Sequence, residues 1–256
     1  MKVLDGALMD NSLFQSYSRK HAHFYEEEVP ALIELGLALT KDISEKPMIV
    51  DLGCGDGRLI FALHRRGLLN SVGGVVGVDI SDKRIERLRR ELPFVKGIVS
   101  DAANVKELPD SLFDLAICSQ LIEHVKDDDA LVLEIKRLLK SGGLAYVSSV
   151  IKKWYGVYFY FNKGSFRLDP THVREYSSID DFVELFEKRG FEVINVVTHQ
   201  IMYPLPDLVI RLFIEFGFME PDVRFYQRHK IFSWLRKLRA PVLGYKTIEV
   251  LAKKIG

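Results

Sequence analysis

A disulfide framework is excluded at once. The chain has only two cysteines, Cys54 and Cys118, far apart in glycine-rich or apolar segments, and neither has a metal-ligand neighbour at C-x-x-C spacing. Such usage belongs to a reducing, intracellular compartment. There is no run of 18 apolar residues, and the opening MKVLDGALMD carries acids where a signal peptide needs an apolar stretch. A cytoplasmic protein is expected. Net charge is scarce too, with 36 Lys and Arg against 35 Asp and Glu, so no global field draws the chain to nucleic acid and only local patches can act on anionic partners. Internal repeats and low-complexity linkers are absent. With 256 residues, 48% of them hydrophobic, one domain spanning 1–256 with additions is expected.

What is present is alternation. From about 47 to 197, short apolar runs alternate with helix-period segments, the pattern of a parallel sheet covered by helices. MIVDL (48–52), GGVVGVDI (73–80), FVKGIVS (94–100), FDLAICS (113–119), GLAYVSSV (143–150) and FEVINVV (191–197) read as six strands. YKTIEVLAKK (245–254) alternates with period two and makes a seventh. Helices are expected over 57–66, from Ser81 or Asp82 to Leu92, after Asp127, and from Ser178 to Gly190; the segment 1–46 is read as helical.

The stretch VDLGCGDGR (50–58) places Gly53, Gly55 and Gly57 on alternate positions after the first strand, a turn in which backbone can approach a ligand with no Cβ in the way. A nicotinamide fingerprint requires G-x-G-x-x-G, and its last position here is Arg58, so that match fails. Acids close three successive strands: Asp51, Asp79 and Asp101. They suit a ligand with a ribose, an amine and a cationic centre better than one with a pyrophosphate.

With GVDIS, SDAANVKELP, FDLAICSQLIEHV and EIKRLLKSGGLAYVSSV following in order, the chain resembles the class I S-adenosylmethionine-dependent methyltransferases over roughly 47–197. The resemblance implies a Rossmann-like α/β fold: a seven-stranded sheet of order 3-2-1-4-5-7-6 with strand 7 antiparallel, helices on both faces and here a helical insertion between strands 6 and 7. It implies S-adenosylmethionine as cofactor and S-adenosylhomocysteine as product. Asp51, Gly53, Cys54 and Gly55 would then lie at the methionine end, Asp79 and Ile80 at the ribose, Asp101 and Ala102 at the adenine, and Ser119 and Gln120 beneath the sulfonium. Cys54 enters as a small turn residue rather than as a nucleophile. Two alternatives stay open here: a non-catalytic S-adenosylmethionine-binding protein and, more distantly, a nicotinamide-dependent oxidoreductase.

In QLIEHV (120–125), Glu123 and His124 are metal-ligand types. The stretch is similar to ubiquinone-pathway O-methyltransferases, whose metal site has a carboxylate three positions before the Glu. This chain has Gln120 there, and Lys126 and Asp127 where the small-RNA end methyltransferases carry further histidines. No metal is therefore expected. Candidate general bases are His172 and His124.

The acceptor side is expected in two additions, about 151–177 and 200–244. The first contains WYGVYFYFNKGSF (154–166) with seven aromatics, read as an apolar pocket, and then RLDPTHVREYS (167–177) with His172. In the second, Asp207 is expected to cap an amphipathic helix and a further helix to span about 228–239. Seven Lys or Arg and no acid lie between 223 and 246, a solvated face or a peripheral membrane contact. The expected partner is a small-molecule or lipid-linked acceptor, most readily methylated at oxygen. Nucleic acid is not expected, because the basic and aromatic runs are not interleaved.

Overall fold

A computed structural model of the chain describes residues 24–156, 160–162, 165–167, 169, 171–220 and 222–256. The apolar runs form β1 (Met48–Leu52), β2 (Gly74–Asp79), β3 (Lys96–Val99), β4 (Phe113–Ser119) and β5 (Leu139–Lys152). After a small hairpin, β6 (Tyr160–Asn162) with β7 (Ser165–Arg167), come β8 (Phe191–Pro204) and β9 (Arg239–Lys254). The main sheet has seven strands in the order β3-β2-β1-β4-β5-β9-β8, with β9 antiparallel to both neighbours. Because β8 and β9 are the sixth and seventh strands of the core, this is the expected order 3-2-1-4-5-7-6 with strand 7 antiparallel.

Strand alternation distributes the core. Ile49, Leu115 and Ile117 face helices α1 (Ala31–Leu39), α2 (Arg58–Arg65) and α3 (Asp82–Glu91) on one side. Val50, Ala116 and Cys118 face α4 (Asp128–Leu138) and α5 (Ile179–Glu187) on the other. Both faces being covered, the central strands are apolar throughout rather than half-polar. Ser81, Asp127 and Ser178 cap their helices by accepting backbone N–H groups of the first turn.

The insertion between β8 and β9 holds α6 (Leu205–Glu215), α7 (Phe225–Arg228) and α8 (Lys230–Leu235). Here the structure corrects the sequence reading. The helix expected over 228–239 is two short helices that break at His229, and from Arg239 the chain is already strand, because β9 pairs with an extension of β8 through Met202↔Pro241 and Pro204↔Arg239. Asp207 does not cap α6. It lies inside the first turn, buried under Arg236 and Tyr226. Residues 1–23 of the expected N-terminal helical segment lie outside the described residues; 31–39 are helical.

Gly57 is fixed by packing rather than by a ligand. Its φ is +82°, and an added Cβ would meet Leu88 Cδ1 at 2.3 Å. Gly57→Ala is expected to cost roughly 2–4 kcal/mol in urea unfolding, left-handed strain plus overpacking. Gly217→Ala, at φ +75° with nothing within 4 Å, serves as the control. It should cost only the strain, about 1–2 kcal/mol.

Candidate active site

The carboxyl ends of β1, β2 and β4 open at one edge of the sheet, the place where open α/β sheets bind ligands. The turn after β1 is pinned to β2, since Gly53 and Cys54 donate N–H bonds to Val78 O at 2.8 and 3.0 Å. Gly53 and Gly55 have φ of +72° and +56°, a region that side chains strain to enter. Asp79 completes the turn: its Oδ2 accepts from Gly55 N–H and its Oδ1 from Ser81 N–H, both at 2.9 Å.

A cavity of about 430 Å³ lies over this edge. Asp51, Gly53, Cys54, Asp79, Ile80, Asp101, Ala102, Ser119 and Gln120 line it, so nearly all of the residues singled out as cofactor-binding are brought together. Gly55 is absent from the wall and acts on Asp79 instead. Burial, reinforced by the neighbouring Asp79, raises the Asp51 carboxyl to about 8. Burial raises Asp79 as well and holds the Cys54 thiol far from ionisation. Two buried acids side by side favour a ligand that brings positive charge and hydroxyl donors. Gln120 sits at φ +54°, a strained position held by its N–H on Ser148 O at 3.0 Å.

His124 and His172 also line the cavity, their ring centroids 4.8 Å apart and edge to face. Their hydrogen bonds fix where the protons sit. Thr171 has one hydroxyl proton and gives it to Asp169 Oδ1 at 2.5 Å, so toward His124 Nδ1, at 2.9 Å, it can only accept. Burial raises the Asp169 carboxyl, yet the two imidazoles and the Thr171 bonds outweigh it and leave it below the ordinary range, hence an acceptor. His124 therefore carries Nδ1–H and keeps a bare Nε2. Burial, together with His172, lowers it to about 4, so the ring is neutral at pH 7. His172 Nδ1 lies 3.1 Å from Glu175 Oε1.

Glu123 joins the pair. One ligand atom from each of Glu123, His124 and His172 lies within 4.8 Å of the others. Glu123 Oε2 accepts from Ser149 Oγ at 3.0 Å, while Oε1 has no hydrogen-bond partner among the described residues, and burial raises the carboxyl to about 7. The sequence argument against a metal relied on Gln120 and on the residues directly after His124. The fold supplies a second histidine from 48 positions on, which sequence spacing could not reveal.

The far wall is built by the second addition. Ile201, Tyr203, Asp207, Arg211, Arg236 and Val242 from the insertion line the cavity, with Phe24 and Glu26. This wall combines apolar and aromatic side chains with four charged ones, Glu26, Asp207, Arg211 and Arg236. Arg236 donates to both Asp207 oxygens at 2.9 and 2.8 Å, reaches Glu26 at 3.0 Å and stacks 4.4 Å over Tyr226. Trp154 and Tyr155, of the aromatics expected in an apolar pocket, are exposed and outside the cavity wall; the side chains of 157–168 lie outside the described residues. Thr171 carried a sequence signal that was missed: D-P-T-H makes an Asx turn, with Thr171 N–H on Asp169 Oδ1 at 2.8 Å.

Residues 50–147 match the methyltransferase domain family. Over 109 residues the chain is 31% identical to a ubiquinone biosynthesis O-methyltransferase of Neisseria meningitidis serogroup A, a match covering 41% of this chain and 44% of that protein. Over 149 residues it is 31% identical to a probable S-adenosylmethionine-dependent methyltransferase of Mycolicibacterium smegmatis, covering 57% of this chain and 52% of the other. The chain thus spans about half the length of the curated relatives it matches. In structure it resembles the [4+2]-cyclase SpnF, with TM-score 0.59, 18% identity and coverage of 96% and 93%. A putative methyltransferase of Bacillus halodurans gives TM-score 0.58, 18% identity and coverage of 86% and 99%. At such identities these two speak for the fold alone.

The tautomer assignment can be measured without any substrate. In protein labelled with 15N-histidine, long-range proton–nitrogen correlations should find His124 protonated at Nδ1 and bare at Nε2. Thr171→Ser should preserve that pattern. Thr171→Val removes the acceptor and should shift population to the Nε2–H form.

Proposed function

Because residues 50–147 are a class I S-adenosylmethionine-dependent methyltransferase domain, we propose that this chain binds S-adenosylmethionine in the cavity over the sheet edge and transfers its methyl group to a small-molecule or lipid-linked acceptor, at oxygen. The observation that carries the reading is the meeting, in one cavity, of the Asp51–Asp79 pair with the neutral His124. When bound, the cofactor supplies a methyl already activated on a cationic sulfur. Asp79 would hold the ribose, Asp101 and Ala102 the adenine, Gly53 and Asp51 the methionine end, and Ser119 and Gln120 the wall beneath the sulfur. The protein's remaining work is orientation, worth as much as ~7–11 kcal/mol, and removal of one proton. His124 Nε2 is the base, a lone pair on the cavity wall with Thr171 and Asp169 behind the ring. The cytoplasmic placement belongs to the same reading and leans on the two free, buried cysteines.

A second reading has its own observation, the unpartnered Glu123 Oε1 within one 4.8 Å group with ligand atoms of His124 and His172. These residues fit a divalent cation, which would bind and polarise the acceptor hydroxyl where the first reading has only the base. Transfer of a labelled methyl group from S-adenosylmethionine to acceptors in a cell extract tests the function itself. On the first reading, transfer survives exhaustive chelation. Loss with chelator and recovery with magnesium would establish the cation.

Asp51 supplies a prediction with a defined sign. Its carboxyl is raised from 3.8 to about 8 in the folded chain. The folded state therefore holds the proton more tightly than the unfolded one, and stability from this group falls as pH rises through that window. Asp51→Asn should make the cofactor-free protein more resistant to denaturant above pH 8 and change little below pH 4. The same variant should weaken S-adenosylmethionine binding by about 1.5–3 kcal/mol in calorimetry at pH 8.5.

A further inference from the structure

The insertion is built with its polarity reversed. Inward, Ile210 and Ile214 of α6 pack with Phe24, Phe225 and Tyr226. Outward, where a surface helix ordinarily presents polar side chains, α6 exposes Val209, Leu212 and Phe213. The turn after it exposes Phe216 and Phe218 by 71% and 77%. Helix α8 has no buried residue, and its Ile231 and Trp234 are 76% and 65% exposed. These belong to one layer: Leu205 N–H bonds Leu238 O at 2.9 Å, and Asp207 holds Arg236.

The charges are sorted as well. Of the basic run, the arginines turn to acids: Arg224 to Glu91, Arg228 to Asp222, Arg236 to Asp207 and Glu26, Arg239 to Glu28. Lys230 and Lys237 stay outside with the apolar side chains, exposed, and form no ion pair among the described residues. The Arg224 and Arg236 guanidiniums are held within the layer by these pairs, so Lys230 and Lys237 carry outward charge beside the apolar side chains. What faces outward is aromatic and aliphatic area studded with lysines.

We propose that this outer layer, α6 through Phe218 together with α8, docks on an anionic lipid bilayer. A bilayer fits better than a second copy of the chain because phenylalanine and tryptophan side chains flanked by the exposed Lys230 and Lys237 suit the boundary between acyl chains and anionic headgroups. The inner side of the same layer is the cavity's far wall, through Asp207, Arg211 and Arg236. A lipid-linked acceptor held in the bilayer would therefore meet the cavity at this layer. That delivery role rests on the methyl-transfer reading; the docking does not.

The test is flotation of the full chain with phosphatidylcholine vesicles, with and without phosphatidylglycerol. At low salt the wild type should partition onto the anionic vesicles. The double variant Ile231→Ser with Trp234→Ser should lower partitioning at least about tenfold. Lys230→Gln and Lys237→Gln should each lower it about fivefold, an effect that added salt reproduces. Unchanged S-adenosylmethionine affinity would show that the exposed-site variants fold. Vesicles ignored by the wild type, or partitioning that the Ile231/Trp234 and Phe216→Ser/Phe218→Ser variants leave intact, would overturn the proposal. So would a concentration-dependent dimer in light scattering that the same variants abolish, since the occupant would then be another copy. Flotation needs no acceptor and no turnover, so failure to find methyl transfer leaves this result standing, and a negative flotation leaves methyl transfer untouched.

Discussion

The carboxylate of Asp79 is the tie on which the site depends. It receives the N–H of Gly55 from the turn after β1 and the N–H of Ser81 from the start of α3, so two adjacent strand ends are fastened by one side chain. Ser81 in turn caps α3, whose Leu88 leaves no room for a side chain at Gly57. Turn, helix and carboxylate hold each other in place. Because the acid is buried, its two oxygens are costly to leave unsatisfied, and the backbone donors offset part of that cost before any ligand arrives.

Local physics made much of this legible in the sequence. Three glycines on alternate positions after an apolar strand announce positive φ, and φ is positive at all three. Ser81, Asp127 and Ser178 precede helices in the sequence and cap them in the structure. Strand order followed from the resemblance, not from the residues alone. What escaped were the non-local meetings. His172 and His124 are 48 residues apart, and nothing in either segment signals the other. Arg236, Asp207 and Glu26 converge from three parts of the chain, so the basic run looked free when it was counted without its partners. An apolar period in α6 likewise reads the same whether the outward side chains meet core or something else.

The loop that carries Glu123 and His124 is clamped from both sides. Glu123 O accepts the N–H groups of Val173 and Arg174 at 2.9 and 3.3 Å. The Arg174 guanidinium spans the loop's carbonyls, reaching Val125 O at 2.7 Å and Ile122 O at 3.3 Å, and Lys126 O as well. A lysine could not replace this fork, because its ammonium lacks a planar set of donors. The two histidines are thus placed by backbone and by one arginine as well as by their own bonds to Thr171 and Glu175.

The paired acids Asp51 and Asp79 bear on how a reaction cycle would end. On the proposed reading the ligand enters with a positive sulfur and leaves with a neutral one. Asp51, raised to about 8 in the empty site, would ionise more readily beside the cation than beside the neutral product. The electrostatic part of the grip therefore disappears with the methyl group, and the spent cofactor is held by its ribose, adenine and shape alone. Burial that makes the empty site uncomfortable for these acids also makes them sensitive to that single charge. Loss of the positive charge would thus weaken the hold on the spent cofactor at the two acids.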